Sequence, residues 1–215
     1  MLEETVVEGK VLVAPVVVKE TPSGEKRVTC VFGRIDTVDA DALVCPQDSR
    51  FAGKTLEAEL LQARYGNKSF MEAGKLFREE MEGSRQLGEK GVSELAPAFA
   101  KGVDFTDNEN KVRRIVHVNL DSPNGRDPVS VLEEGVNNSL REASLYQNVH
   151  SVAVPLAADI SSQGFKERLL AVSRGIADHF ELTPDSSLDE VKIVINATDT
   201  PENRAWIEGI LSPKE

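Results

Sequence analysis

Basic charge is scarce in this chain of 215 residues: 25 Lys and Arg stand against 36 Asp and Glu, a net charge of −11. Such a field repels phosphate backbones and anionic lipid, so nucleic acid and membrane surfaces are not expected as partners. Cysteine is nearly absent. Cys30 and Cys45 make neither a disulfide framework nor a CxxC metal spacing, and reduced thiols in a cytoplasmic protein are expected. His117, His150 and His179 are the only histidines and are scattered, so no metal and no cofactor is expected. Long apolar runs are missing too. The longest, Val11 to Val18, is interrupted by Pro15 and falls short of the roughly 20 residues a spanning helix needs. The opening MLEETVVEGK is acidic and polar, unlike a secretion signal.

What is present is an alternation of periodicities. VLVAPVVV (11–18) and RVTCVFG (27–33) are β-branched runs flanking Thr21-Pro22-Ser23-Gly24, which is turn chemistry and predicts a hairpin. ALVC (42–45) reads as a short buried strand followed by a loop, 46–54. Leu56, Leu60 and Ala63, then Phe70, Ala73, Phe77 and Met81, mark two amphipathic helices separated by Gly66. VRRIVHVNL (112–120), SVAVP (151–155) and VKIVI (191–195) predict strands. Between and after them run helical stripes: Leu132 to Ala143 behind Asp127-Pro128, Phe165 to Phe180, and Trp206 to Ile210 behind Thr200-Pro201. Strands alternating with helices predict βαβ crossovers and a mixed, mostly parallel sheet covered on both faces. No repeat or linker divides the chain. One domain, 1–215, is expected, with 1–26 as an N-terminal strand and hairpin extension.

In such sheets the ligand crevice lies beyond the carboxyl ends of the strands. The loops there carry Asp48, Asp121, Asn124, Asp159, Ser161, Ser162, Gln163, Gly164 and Asp199. Asp48 and Asp159 are candidate acid–base carboxylates, and equally candidate loop caps that bond their own backbone. Cys45 and His117, each inside a strand, read as core residues. Lys111-Val112-Arg113-Arg114 is divided between two sheet faces by strand alternation and makes no basic patch.

These residues resemble a macrodomain, the ADP-ribose-binding α/β module, from about Arg27 to Leu211. Gly33-Arg34-Ile35-Asp36 with Asp41-Ala42-Leu43-Val44 is similar to the family's G-D-I-T…D-A-I-V entry into the fold. Leu87-Gly88-Glu89, Ile115-Val116-His117-Val118 and Ser151-Val152-Ala153-Val154-Pro155 resemble its t-G-e-a, I-H-x-V and S-I-A-x-P segments. The resemblance implies a three-layer α/β/α sandwich. It also implies ligand contacts at Arg34, Ile35, Gln47, Asp48, Gly53, Ser161, Ser162, Gln163, Gly164 and Phe165. The binding segments depart from the pattern. Arg34 stands where the family's aspartate accepts the adenine amino group, and Val44-Cys45-Pro46-Gln47-Asp48 replaces V-N-A-A-N. Only Gly53 remains of the glycine run, and Asp159 adds a carboxylate to the pyrophosphate loop.

The resemblance implies a divergent module that binds a nucleotide-like or ADP-ribose-like small molecule weakly. An ADP-ribosyl hydrolase using Asp48 or Asp159, and a non-catalytic interaction protein whose cleft has lost its ligand, are the alternatives. The single-domain expectation is checked by limited proteolysis, which should trim ends and loops while leaving one core. Two stable, separately folding fragments would contradict it.

Overall fold

The computed structural model describes residues 17–21, 24–48, 55–86, 96–104, 111–122, 126–146 and 148–212. In chain order the elements are β1 (Val17–Thr21), β2 (Gly24–Phe32), a 3₁₀ turn (Ile35–Thr37), β3 (Ala42–Gln47), α1 (Leu56–Tyr65) and α2 (Lys68–Gln86). They continue with β4 (Ala100–Asp104), β5 (Arg114–Asn119), α3 (Pro128–Ser144), β6 (Ser151–Pro155), α4 (Phe165–Leu182), β7 (Glu190–Ile195) and α5 (Pro201–Leu211). Among the described residues the sheet has seven strands in the order β1-β2-β7-β6-β3-β5-β4. The inner strands β2, β7, β6, β3 and β5 run parallel, and β1 and β4 close the two edges antiparallel.

The expected hairpin is present, with Thr21 opposite Gly24. Its first strand begins at Val17; residues 11–16 lie outside the described residues. Residues 24–26, placed in the N-terminal extension on sequence grounds, belong to β2. The strand expected at 42–45 extends to Gln47, through Pro46. For β4 the sequence reading gave no bounds, only the implication from the family resemblance of a strand after Leu87-Gly88-Glu89, which lie outside the described residues. Ala-Lys-Gly-Val-Asp has little β-propensity, and it is held at the edge by pairing with β5.

Both faces of the sheet are covered, and strand alternation sorts the core. Ala42 and Val44 of β3 join Val116, Val118, Val152 and Val154 under α3, α4 and α5, in a cluster that includes Leu140, Leu169, Ile176 and Ile207. Leu43 and Cys45 point the other way, with Ile115, Ile35, Leu61 and Phe70, under the 3₁₀ turn, α1 and α2. A strand buried on both faces needs apolar residues at every position, as β3 and β5 have over most of their length.

The helices start where their caps dictate. Asp127 accepts hydrogen bonds from the Val129 and Ser130 N–H groups with Pro128 in the first turn, and Thr200 accepts from Asn203 N–H ahead of Pro201. α3 and α4 cross very closely at Gly175. A Cβ there would stand 2.4 Å from the Glu133 carbonyl oxygen and 3.0 Å from Val136 Cβ. The first is backbone and cannot swing aside. Gly175→Ala is therefore expected to destabilise the protein by roughly 1–3 kcal/mol through overpacking, despite alanine's better helix propensity. Urea denaturation measures this, and an unchanged midpoint would show slack between the two helices.

Candidate functional site

The crevice begins inside the sheet. β3 pairs with β5 along its whole length, up to Gln47 opposite Asn119, and β6 pairs with β7 up to Pro155 opposite Val194. Between them, β3 and β6 pair only at Ala42–Val152 and Leu43–Ala153. Beyond that point the two strands part. Pro46 and Pro155 stand on the two sides of the gap, and neither has an N–H to donate to a ladder. Pro46 sends its carbonyl instead to Thr55 Oγ1, 2.8 Å away, and Thr55 caps α1. The helix after β3 packs on one face of the sheet and the helix after β6 on the other. Adjacent strands whose following helices diverge in this way define a ligand crevice. The same divergence separates β2, followed by the 3₁₀ turn, from β7, followed by α5.

One wall follows β2. Gly33 holds φ +143°, a left-handed conformation that favours glycine, and donates its N–H to the Ile195 carbonyl at 3.0 Å. Arg34 comes next. Its Nε and Nη2 donate to the two carboxylate oxygens of Asp36 at 3.0 and 2.9 Å. Asp36 is buried, whereas the Arg34 side chain is 54% exposed. Ile35 is buried in the core beneath α1. Beyond the neighbouring strand β7, on the same side of the gap, Asp199 is held the same way by Arg204, with both oxygens at 2.6 Å from guanidinium nitrogens, and this hydrogen bonding lowers its pKa.

The base of the crevice is an apolar and polar mixture under β3. Gln47 is buried; its Nε2 donates to Cys45 Sγ at 3.1 Å and lies 3.2 Å from His117 Nδ1. That donor order places the imidazole proton on Nε2, from which it donates to Ser69 Oγ at 3.1 Å. Phe70 meets the imidazole edge-on, centroids 4.9 Å apart. Burial lowers the His117 pKa to about 3 and pushes the Cys45 thiol far up, so neither is ionised near neutral pH. The two core assignments made on sequence grounds agree with this geometry. Asp48 follows at the half-buried end of β3, and Gly53 lies outside the described residues.

The β6–α4 loop forms the opposing rim. Asp159 closes on Ser161: its Oδ1 accepts from Ser161 N–H at 2.8 Å and Ser161 Oγ at 2.6 Å, which lowers its pKa. This is the loop-capping arrangement, an ionised carboxylate committed to its own turn. Ser161, Ser162 and Gln163 are exposed. Gly164 is the N-cap of α4 and supplies no side-chain acceptor to the first turn of that 18-residue helix. Phe165 is fully buried and stacks on Trp206, centroids 4.9 Å apart and rings inclined by 28°.

The structure thus places Asp48 on one side of the β3–β6 gap, Asp159, Ser161, Ser162, Gln163 and Gly164 on the other, and Arg34 at the end of β2, two strands beyond β6. It turns Gln47, Ile35 and Phe165 into the protein interior. Sequence reading missed the Arg34–Asp36 fork and the Gln47–His117–Ser69 chain. Alternation of 45, 47 and 117 onto one face was the available signal for the second. Among the described residues no three His, Cys, Asp or Glu side chains converge as a metal site, and no helix is long and apolar enough to cross a membrane.

Solved structures resemble this arrangement over nearly its whole length. The Oceanobacillus iheyensis macrodomain with ADP is 15% identical over 91% of this chain and 94% of that one, with a TM-score of 0.61. The chain has the macrodomain fold. The macrodomain of Mycobacterium tuberculosis DarG is 18% identical over 80% of this chain and 99% of its own, TM-score 0.56. The Trypanosoma brucei macrodomain in complex with ADP is 10% identical over 86% and 69%, TM-score 0.55. No family model matches the sequence, and no curated protein matches it. Backbone architecture carries the likeness, at low sequence identity.

The buried histidines make stability depend on pH. Burial lowers His117 to about 3 and His179 to about 4, whereas both titrate near 6.5 in the unfolded chain. The unfolded state therefore binds more protons as pH falls below about 6.5, and folding stability drops through the window from there to about 3. Between pH 7 and pH 5 each histidine is expected to cost roughly 1–2 kcal/mol. Urea midpoints at the two pH values measure the drop, and His117→Gln should flatten it. An equal slope in that variant would mean that His117 titrates in the folded state.

Proposed function

We propose that this macrodomain-fold chain is a small-molecule binding module for a nucleotide-like, ADP-ribose-like ligand, held weakly. The observation that carries the reading is the crevice opened by the parting of β3 from β6, with the N-terminus of α4 at its rim lacking a side-chain cap. First-turn N–H groups and the helix dipole favour an anionic group there. The solved neighbours that carry ADP support a nucleotide diphosphate as the class.

Weakness follows from two local charges. Asp159 remains ionised on the rim loop, where it repels phosphate. Arg34 offers donors where the resemblance implies an acceptor for the adenine amino group, and an amino group buried without a partner costs roughly 1–3 kcal/mol. Affinity for free ADP-ribose is expected to lie about tenfold to a hundredfold below that of a site with the acceptor in place. Calorimetry at low salt, with and without magnesium, tests this. Asp159→Asn should tighten binding, and tight magnesium-independent binding by the unchanged protein would overturn the reading. Hydrolysis has less support: Asp159 is committed to its turn, and Cys45 and His117 are buried and neutral. Turnover of an ADP-ribosylated protein would revive it.

A further inference from the structure

We infer that the crevice selects an oxo-purine ring, guanine or hypoxanthine, over adenine, and that Arg34 makes the selection. This rests on the nucleotide reading above and adds the base to it. The phosphate end of the crevice is the α4 N-terminus, beyond β6. On the side away from β3, the loops after β7 and β2 stand one and two inter-strand steps from β6, about 5 and 10 Å along the sheet edge. A nucleoside diphosphate with its phosphates at α4 lays its base against the residues that follow β2 and β7.

The chemistry at that end is unusually one-sided. Its two aspartates are already engaged by guanidinium forks, Asp36 by Arg34 and Asp199 by Arg204. Asp36 is also buried, with 8% of its side chain exposed, so a ring has little access to its oxygens. An exocyclic amino group, as on adenine, therefore finds no free carboxylate in these two loops. Arg34 presents the opposite. A guanidinium has five N–H donors, and the Asp36 fork consumes Nε–H and one on Nη2. The rest lie on a plane that Asp36 fixes, and more than half of the side chain is exposed. Fixed, paired donors match adjacent ring acceptors such as O6 and N7 of guanine, the pairing by which arginine distinguishes guanine from adenine. Adenine turns one acceptor and one donor toward the same edge and can satisfy only half of it.

The test is a titration of the full chain with GDP, IDP, ADP and pyrophosphate, by calorimetry and by the fluorescence of Trp206, the single tryptophan. GDP and IDP should bind about tenfold more tightly than ADP. Arg34→Gln, whose amide both donates and accepts, should bring the three within about twofold while leaving pyrophosphate affinity unchanged. Arg34→Ala gives the same levelling if the glutamine variant is poorly folded. ADP binding as tightly as GDP, or a preference that survives both substitutions, would overturn the assignment to Arg34 while leaving the nucleotide reading intact. Saturation by none of the nucleotides nor by pyrophosphate would overturn the nucleotide reading and this inference together.

Discussion

Everything at the crevice depends on where β3 and β6 stop being hydrogen-bonded to each other. Two central strands pair at their first residues and then separate, while each stays fully paired with its other neighbour. The separation is anchored at the opposite end of the sheet. The Asp41 carboxylate accepts hydrogen bonds at 3.0 Å from His150 N–H, Ser151 N–H and Ser151 Oγ, clamping the start of β6 to the start of β3. With that end fixed and with prolines at the other, the gap can open only toward the strand ends. The loops and helix N-terminus at these strand ends inherit their placement from this wedge.

The chemistry of the rim is mostly chemistry already spent. Asp36, Asp159 and Asp199 are carboxylates of the kind that attracts functional interpretation, yet each is satisfied by a neighbour on its own loop or helix. Hydrogen bonds to a carboxylate stabilise its charged form and make it a poor proton acceptor. Such groups hold loop geometry. What they leave are donors, the remaining N–H groups of Arg34 and those of the first turn of α4 that follow Phe165, whose own N–H is bonded to the Ser162 carbonyl.

Buried polarity elsewhere keeps the scaffold specific. Arg114 is buried beside Asp104 and Glu142, with its guanidinium 4.4 Å from the centre of the Tyr146 ring, so the edge strand β4 is tied to β5 and α3 through charge. Glu142 also accepts from Gly102 N–H at 3.1 Å, which occupies an edge donor that would otherwise be open to another strand. A buried Lys26 donates to the Ser186 carbonyl at 2.9 Å and steadies the loop before β7.

The order of strands and helices, the two-faced burial of β3 and β5, and the caps at Asp127 and Thr200 were legible in the sequence, because periodicity and capping are local. So was the likeness of the scaffold, since it rests on the apolar pattern of the strands and helices. Tertiary structure decided the rest. β4 became a strand only because β5 offered it an edge. Pro46, which sequence reading put in a loop, became the end of a strand and one side of the crevice. Gln47 turned inward because alternation places it on the face of His117, whereas Arg34 stays half exposed with two of its five donors held by a buried aspartate two residues on. Each of these outcomes depends on a partner distant in sequence or on a side-chain direction, and neither is written in local composition.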